Sequence, residues 1–203
     1  MLYLYVYITL NMDAGIPHSL LDEKINALAT LSPASRNLLY SRLRPFQMPK
    51  GEILLREQQV CKHIYFIESG LMRSYSNKDG RDINLEFSPE GYFVTHLKSL
   101  RTGSPADYSL QAIEPASVWE FGKEDLRDLY TRSAEIESMG RKMVEQLLMQ
   151  QETHTHLFKL LSPAERYQYI ADHHPWLIQR VSLTQLATYL GISRETLSRI
   201  RKK

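Results

Sequence analysis

Ser182-Leu183-Thr184-Gln185-Leu186-Ala187-Thr188-Tyr189-Leu190-Gly191-Ile192-Ser193-Arg194-Glu195-Thr196-Leu197-Ser198-Arg199-Ile200 reads as two short helices around one glycine. Leu183, Leu186, Ala187 and Leu190 recur three or four apart and make one apolar helix face. Ser182 is an N-cap, and Gln185 three residues on completes a capping box. Gly191 can adopt the left-handed conformation that ends the first helix sharply. Ser193 then caps a second helix, with Glu195 at its positive end. If Leu197 and Ile200 face inward, Arg194, Glu195, Ser198 and Arg199 face outward. That layout is a helix-turn-helix with a recognition helix.

An ordinary helical hairpin with solvated charges would share the periodicity. The outer face argues for nucleic acid, because arginine reads guanine through a bidentate fork and glutamate accepts from the cytosine amino group. Arg180, Arg194, Arg199, Arg201, Lys202 and Lys203 face one acid, Glu195, so this segment is +5 in a chain that is only +2. A local basic patch on a balanced protein is the footprint of a phosphate-backbone binder. Double-stranded DNA is the expected partner.

Ser193 to Arg199 resembles the recognition helix of the Crp/Fnr transcription regulators, and the resemblance extends from about Leu21 to Arg201. It implies base contacts from Arg194, Glu195 and Arg199, with Ser193, Thr196, Ser198, Thr184, Gln185, Arg201 and Lys202 supporting them or meeting the backbone. It also implies a homodimer on near-palindromic operators, with RNA polymerase as a further partner. That family usually appends a hairpin wing; after Ile200 only Arg201-Lys202-Lys203 follow, so no full wing is expected.

The remaining sequence fits an α+β chain. Residues 20–31 and 33–43 read as helices, the second with Ser32 as cap and Pro33 at its first position. Short strand-like runs follow at 53–55, 63–68, 71–76, 81–87, 108–113 and 117–121, separated by turns at Gly51, Gly70, Gly80 and Gly91. Such spacing predicts an antiparallel sandwich or roll, and this region resembles the family's cyclic-nucleotide-binding β-roll. A helix is expected over 123–130 and a long one over 134–161. In the latter Ile136, Met139, Met143, Leu147, Gln150, His154 and Leu157 form a seam three or four apart. The seam suits dimerisation, with Gln150 and His154 setting register; packing on the chain's own β-roll is the alternative, and Val144 and Leu148 widen the stripe enough for both. The expected domains are 20–133, the dimerisation helix 134–161, and the DNA-binding unit 162–203, after an extension over 1–19. Trp176 is read as a core anchor of the last unit.

In the cyclic-AMP-binding members a Gly-Glu pair takes the ribose and an Arg-Ser pair the phosphate. By that resemblance residues 91–112 align without a gap, and the effector pocket comprises Phe93, Thr95, His96, Ala106 and Asp107. Thr95-His96 and Ala106-Asp107 replace the two pairs. The missing arginine removes the charge-assisted phosphate contact, and Asp107 would repel a phosphate. The effector is therefore unknown, and cyclic AMP is not expected.

Cys61 is the sole cysteine, which excludes an internal disulfide and a cysteine-bound metal cluster and fits a reducing cytoplasm. The histidines show no ligand spacing, so no metal or cofactor is expected. Met1 to Leu10 is apolar but too short to cross a bilayer; either an added strand or an upstream start before Met12 accounts for it. No nucleophile elbow, phosphate loop or metalloprotease helix points to an enzyme. A ligand-sensing protein with vestigial DNA binding is the second reading, and the intact caps and outward arginines favour the first.

Overall fold

The computed structural model describes residues 19–202, so the tyrosine-rich stretch before Met12 and Lys203 lie outside the described residues. Ser19 caps α1 (Leu20–Leu28), and Ser32 caps α2 (Pro33–Tyr40), with Pro33 in its first turn. The strands are β1 (Arg44–Met48), β2 (Ile53–Leu55), β3 (His63–Ser69), β4 (Met72–Lys78), β5 (Arg81–Ser88), β6 (Phe93–Val94), β7 (Ser109–Ala112) and β8 (Ala116–Gly122), with α3 (Leu97–Thr102) between β6 and β7. Helices α4 (Lys123–Arg132), α5 (Ala134–Leu160), α6 (Pro163–His173), α7 (Pro175–Arg180), α8 (Leu183–Tyr189) and α9 (Arg194–Ile200) complete the chain.

Two four-stranded antiparallel sheets, ordered β1-β8-β3-β6 and β2-β7-β4-β5, enclose a core of Met48, Tyr65, Ile67, Met72, Val94 and Val118. This is the expected β-roll. β1, β6 and α3 escape the sequence pattern. β1 contains Pro45, lies mostly exposed and pairs with β8 alone, so it shows neither alternation nor strand composition. β6 has two residues, and α3 is capped by His96, a side chain outside the usual capping set. The first helix stops at Leu28 rather than continuing to Leu31, because Ala29 turns extended and Leu31 enters the core from the connection.

Several residues of the expected seam pack within the protomer. Ile136, Met139 and Met143 are buried with α1, α2 and α4 in the protomer's own core. His154 packs on Phe158 and Tyr189 of the same chain, and Leu157 is also buried. These positions cannot serve a second protomer while they hold their own. The stripe is wide enough that another strip is left: Leu148 (62%), Met149 (59%) and Leu160 (74%) are exposed. Gly140 lets α5 pass close to Tyr130 of α4, since a Cβ there would lie 2.7 Å from Tyr130 Cζ. Gly140→Ala should therefore lower stability by about 1–3 kcal/mol in chemical denaturation, although alanine favours helix by about 1 kcal/mol. A more stable variant would show that α4 and α5 are not closely packed.

Candidate nucleic-acid interface

Local chemistry builds the helix-turn-helix as its sequence implies. Ser182 Oγ accepts from Gln185 N at 3.2 Å, and Gln185 Oε1 accepts from Ser182 N at 3.0 Å. Gly191 has φ +72°, its N–H donates to Thr188 O, and Ile192 N–H donates to Ala187 O. These two bonds are the Schellman termination. Ser193 Oγ accepts from Thr196 N at 3.1 Å to start α9, and Leu197 is fully buried. Arg194, Glu195 and Arg199 are exposed on the opposite side, with Ser198 and Ile200 half-buried. Arg199 Nη2 donates to Thr196 Oγ1 at 3.3 Å, which steadies a candidate base reader on a supporting residue. The N–H at the start of α9 and the Ser193 hydroxyl hold the Glu195 carboxyl below its usual range. Thr184, Arg201 and Lys202 are exposed as well, whereas the Gln185 side-chain oxygen is spent on the cap.

The expected basic patch loses one member. Arg180, at the end of α7, donates to Glu90 Oε2 at 2.8 Å and Oε1 at 2.7 Å, and to Glu114. It joins α7 to two β-roll turns instead of facing DNA; sequence shows its charge but not the two carboxylates that neutralise it.

A second contact seats the motif. Asn84 and Thr188 are both nearly inaccessible, and Asn84 Nδ2 donates to Thr188 Oγ1 at 2.7 Å and to Gln185 O at 3.3 Å. Buried Arg73 fixes that amide: Nη1 donates to Asn84 Oδ1 at 3.1 Å, Nη2 to Asp82 at 2.7 Å and Nε to Gln111 at 2.8 Å. A bulge at Leu85 makes the geometry possible, because Ser74 pairs with Glu86 while Tyr75 pairs with Asn84. One extra residue shifts the side-chain alternation, so Asn84 and Phe87 both meet α8. At the far end Arg166 donates to Phe158 O, Leu161 O and Leu190 O, tying the ends of α5 and α8 together. Neither Arg73 nor Arg166 is distinguishable by sequence from a solvated arginine.

The effector residues form a different arrangement from a phosphate cradle. His96 is buried, accepts from Ser99 N through Nδ1 at 3.1 Å, and places Nε2 2.7 Å from Asp107 Oδ1. The hydrogen bond with His96 holds the Asp107 carboxyl below its usual range. His96 also stacks on Tyr108 at 4.2 Å. Thr95 Oγ1 donates to His63 O at 2.9 Å, Phe93 enters the core, and Ala106 is fully buried with its N–H on Gln59 O. Phe93, Thr95, His96 and Asp107 border one cavity of about 460 Å³ between the β-roll and α5; Ala106 is not among its walls. Among the described residues there is no metal-ligand cluster of three or more His, Cys, Asp or Glu, and no helix long and apolar enough to cross a membrane.

Residues 45–133 match the cyclic nucleotide-binding domain family. FixK2 from Bradyrhizobium japonicum is similar in structure, with TM-score 0.64 and 22% identity over 79% of this chain and 83% of that one. So is the global regulator CLP of Xanthomonas campestris, described as c-di-GMP responsive, with TM-score 0.63 and 19% identity over 84% and 90%. A Crp/Fnr regulator from Eubacterium rectale gives 0.66 and 16% over 85% and 82%. The chain has the Crp/Fnr fold. No curated protein sequence matches it significantly.

Within this Crp/Fnr-fold chain, Arg180 and Glu90 give a pH signature to the seating of the C-terminal helices on the β-roll. The hydrogen bonds from Arg180 hold the Glu90 carboxyl below its usual value of 4.5. A carboxyl depressed in the folded state contributes stability that is present above the unfolded pKa and lost as pH falls through the folded one. Thermal melts should therefore lose stability below about pH 4.5 more steeply in the wild type than in Glu90→Gln. Parallel profiles would show that the pair adds nothing.

Proposed function

We propose that the chain is a sequence-specific, DNA-binding transcription regulator that acts as a homodimer on near-palindromic operators. The observation that supports this best is α9, whose cap and buried Leu197 leave Arg194, Glu195 and Arg199 together on an exposed face. Those are side chains suited to base edges, while Thr184, Ser193, Thr196, Ser198, Arg201 and Lys202 border them at phosphate reach. The β-roll acts as the sensor. Its effector is not cyclic AMP, because Ala106 supplies no cation and Asp107 supplies a negative charge. RNA polymerase is the natural further partner of such a regulator, and the reducing cytoplasm its place of action.

Selection from random DNA tests the reading. Arg199→Ala should cost roughly 1–3 kcal/mol per half-site and relax preference at one base pair. Removing Arg201, Lys202 and Lys203 should weaken all sequences alike and flatten the salt dependence. An unchanged motif in Arg199→Ala, with an altered one after tail removal, would reverse the assignment.

The dimer should form along Leu148 and Met149, the apolar strip α5 leaves uncovered, rather than along Met143 and His154. Sedimentation at micromolar protein should show a dimer that Leu148→Glu converts to a folded monomer. A wild-type monomer, or a dimer indifferent to Leu148→Glu, would remove this interface.

A further inference from the structure

The cavity beside α5 contains two polar groups that the fold leaves without partners. Glu86 comes from β5, where the Leu85 bulge turns it and Ser88 toward the cavity while Asn84 and Phe87 go to α8. Its carboxylate opens onto the cavity but lies deep in protein, and burial alone pushes its pKa up, with no hydrogen bond or cation to offset it. His154 comes from α5. Its Nε2 is fully buried with no hydrogen-bond partner among the described residues, and burial lowers its pKa so that the ring is neutral. Glu86 keeps its access to the cavity, whereas His154 Nε2 is closed off from it, so the carboxylate is the group an occupant can meet.

The walls restrict what could meet that carboxylate. Leu85, Phe93, Val94, Leu97 and Leu147 are apolar, and Tyr108 adds an aromatic ring. Glu86 and Asp107 outnumber Lys98 in the lining, and Asp107 is taken up by His96, which leaves Glu86 as the open carboxylate. An anion would meet an uncompensated carboxylate; a cation would supply the partner Glu86 lacks. At about 460 Å³ the space is within the range of small-molecule sites.

We propose that this cavity binds a small amphipathic organic cation, its ammonium or amidinium paired with Glu86 and its apolar part against Leu85, Phe93 and Leu147. The inference rests on the reading of the β-roll as a sensor, and it concerns binding rather than DNA. His154 lies 5.9 Å from Tyr189 of α8, ring centre to ring centre, so an occupant touches the side chain that seats the DNA-binding unit.

Calorimetric titration of the full chain with phenethylamine, tyramine and agmatine, against phenylacetate and cyclic AMP, tests it. At least one amine should bind saturably with one site per chain, and neither anion should. Glu86→Gln should weaken the amine roughly tenfold or more, as expected for loss of a charge-assisted pair. The ligand-free Glu86→Gln protein should melt at or above the wild type, because a desolvated charge has gone. No amine binding, equal binding of phenylacetate, an unaltered affinity in Glu86→Gln, or a lower ligand-free melting temperature each overturns the proposal. Operator binding measured in parallel separates the two readings: amine binding without DNA binding sinks the regulator and keeps the site. DNA binding without amine binding does the reverse.

Discussion

The buried hydrogen bond between Asn84 and Thr188 holds α8, the first helix of the helix-turn-helix, in relation to the β-roll. Asn84 can donate to α8 only because Arg73 occupies its carbonyl oxygen, and Arg73 can be buried only because Asp82, Gln111 and Asn84 satisfy its guanidinium. A buried charge without that set would cost several kcal/mol. The network is therefore all or nothing, and it fixes orientation more than it adds stability. Phe87 packing edge-on to Tyr189 at 5.5 Å supplies the apolar part of the same seat.

That seat explains the division of labour on β5. A bulge at one residue lets a single strand serve two clients: Asn84 and Phe87 face α8, and Glu86 faces the cavity. Tyr189 then stands next to Phe87, His154 and Phe158, so strand, long helix and first helix of the motif meet at one aromatic cluster. Any occupant of the cavity acts on groups within direct reach of α8. Arg180 and Arg166 brace the same unit from two other sides, through Glu90 and Glu114 and through the carbonyl ends of α5 and α8.

The long helix shows what periodicity alone leaves open. Ile136, Met139 and Met143 do recur at seam spacing, but the spacing records only that a helix side is apolar, not whose side chains cover it. Helices α1, α2 and α4 cover it here, and the uncovered strip at Leu148 and Met149 sits one position round. His96 showed no ligand spacing in the sequence, but its role as the cap of α3 and the partner of Asp107 required the fold to place residue 107 beside it.

The features the sequence determined by itself are local ones. Ser182 with Gln185, Gly191, Ser193, Ser32 with Pro33, and the turn glycines each act within a few residues, so their caps and turns follow from residue type and spacing. The outward set Arg194, Glu195 and Arg199 belongs with them, because helix geometry fixes it once Leu197 points inward. What only the tertiary structure decided joins residues far apart in the chain: Arg180 to Glu90, Asn84 to Thr188, Glu86 across a cavity from His154. Burial and ion pairing depend on which surfaces meet, and a charge written in the sequence looks the same whether it ends in solvent, on a carboxylate or in a core.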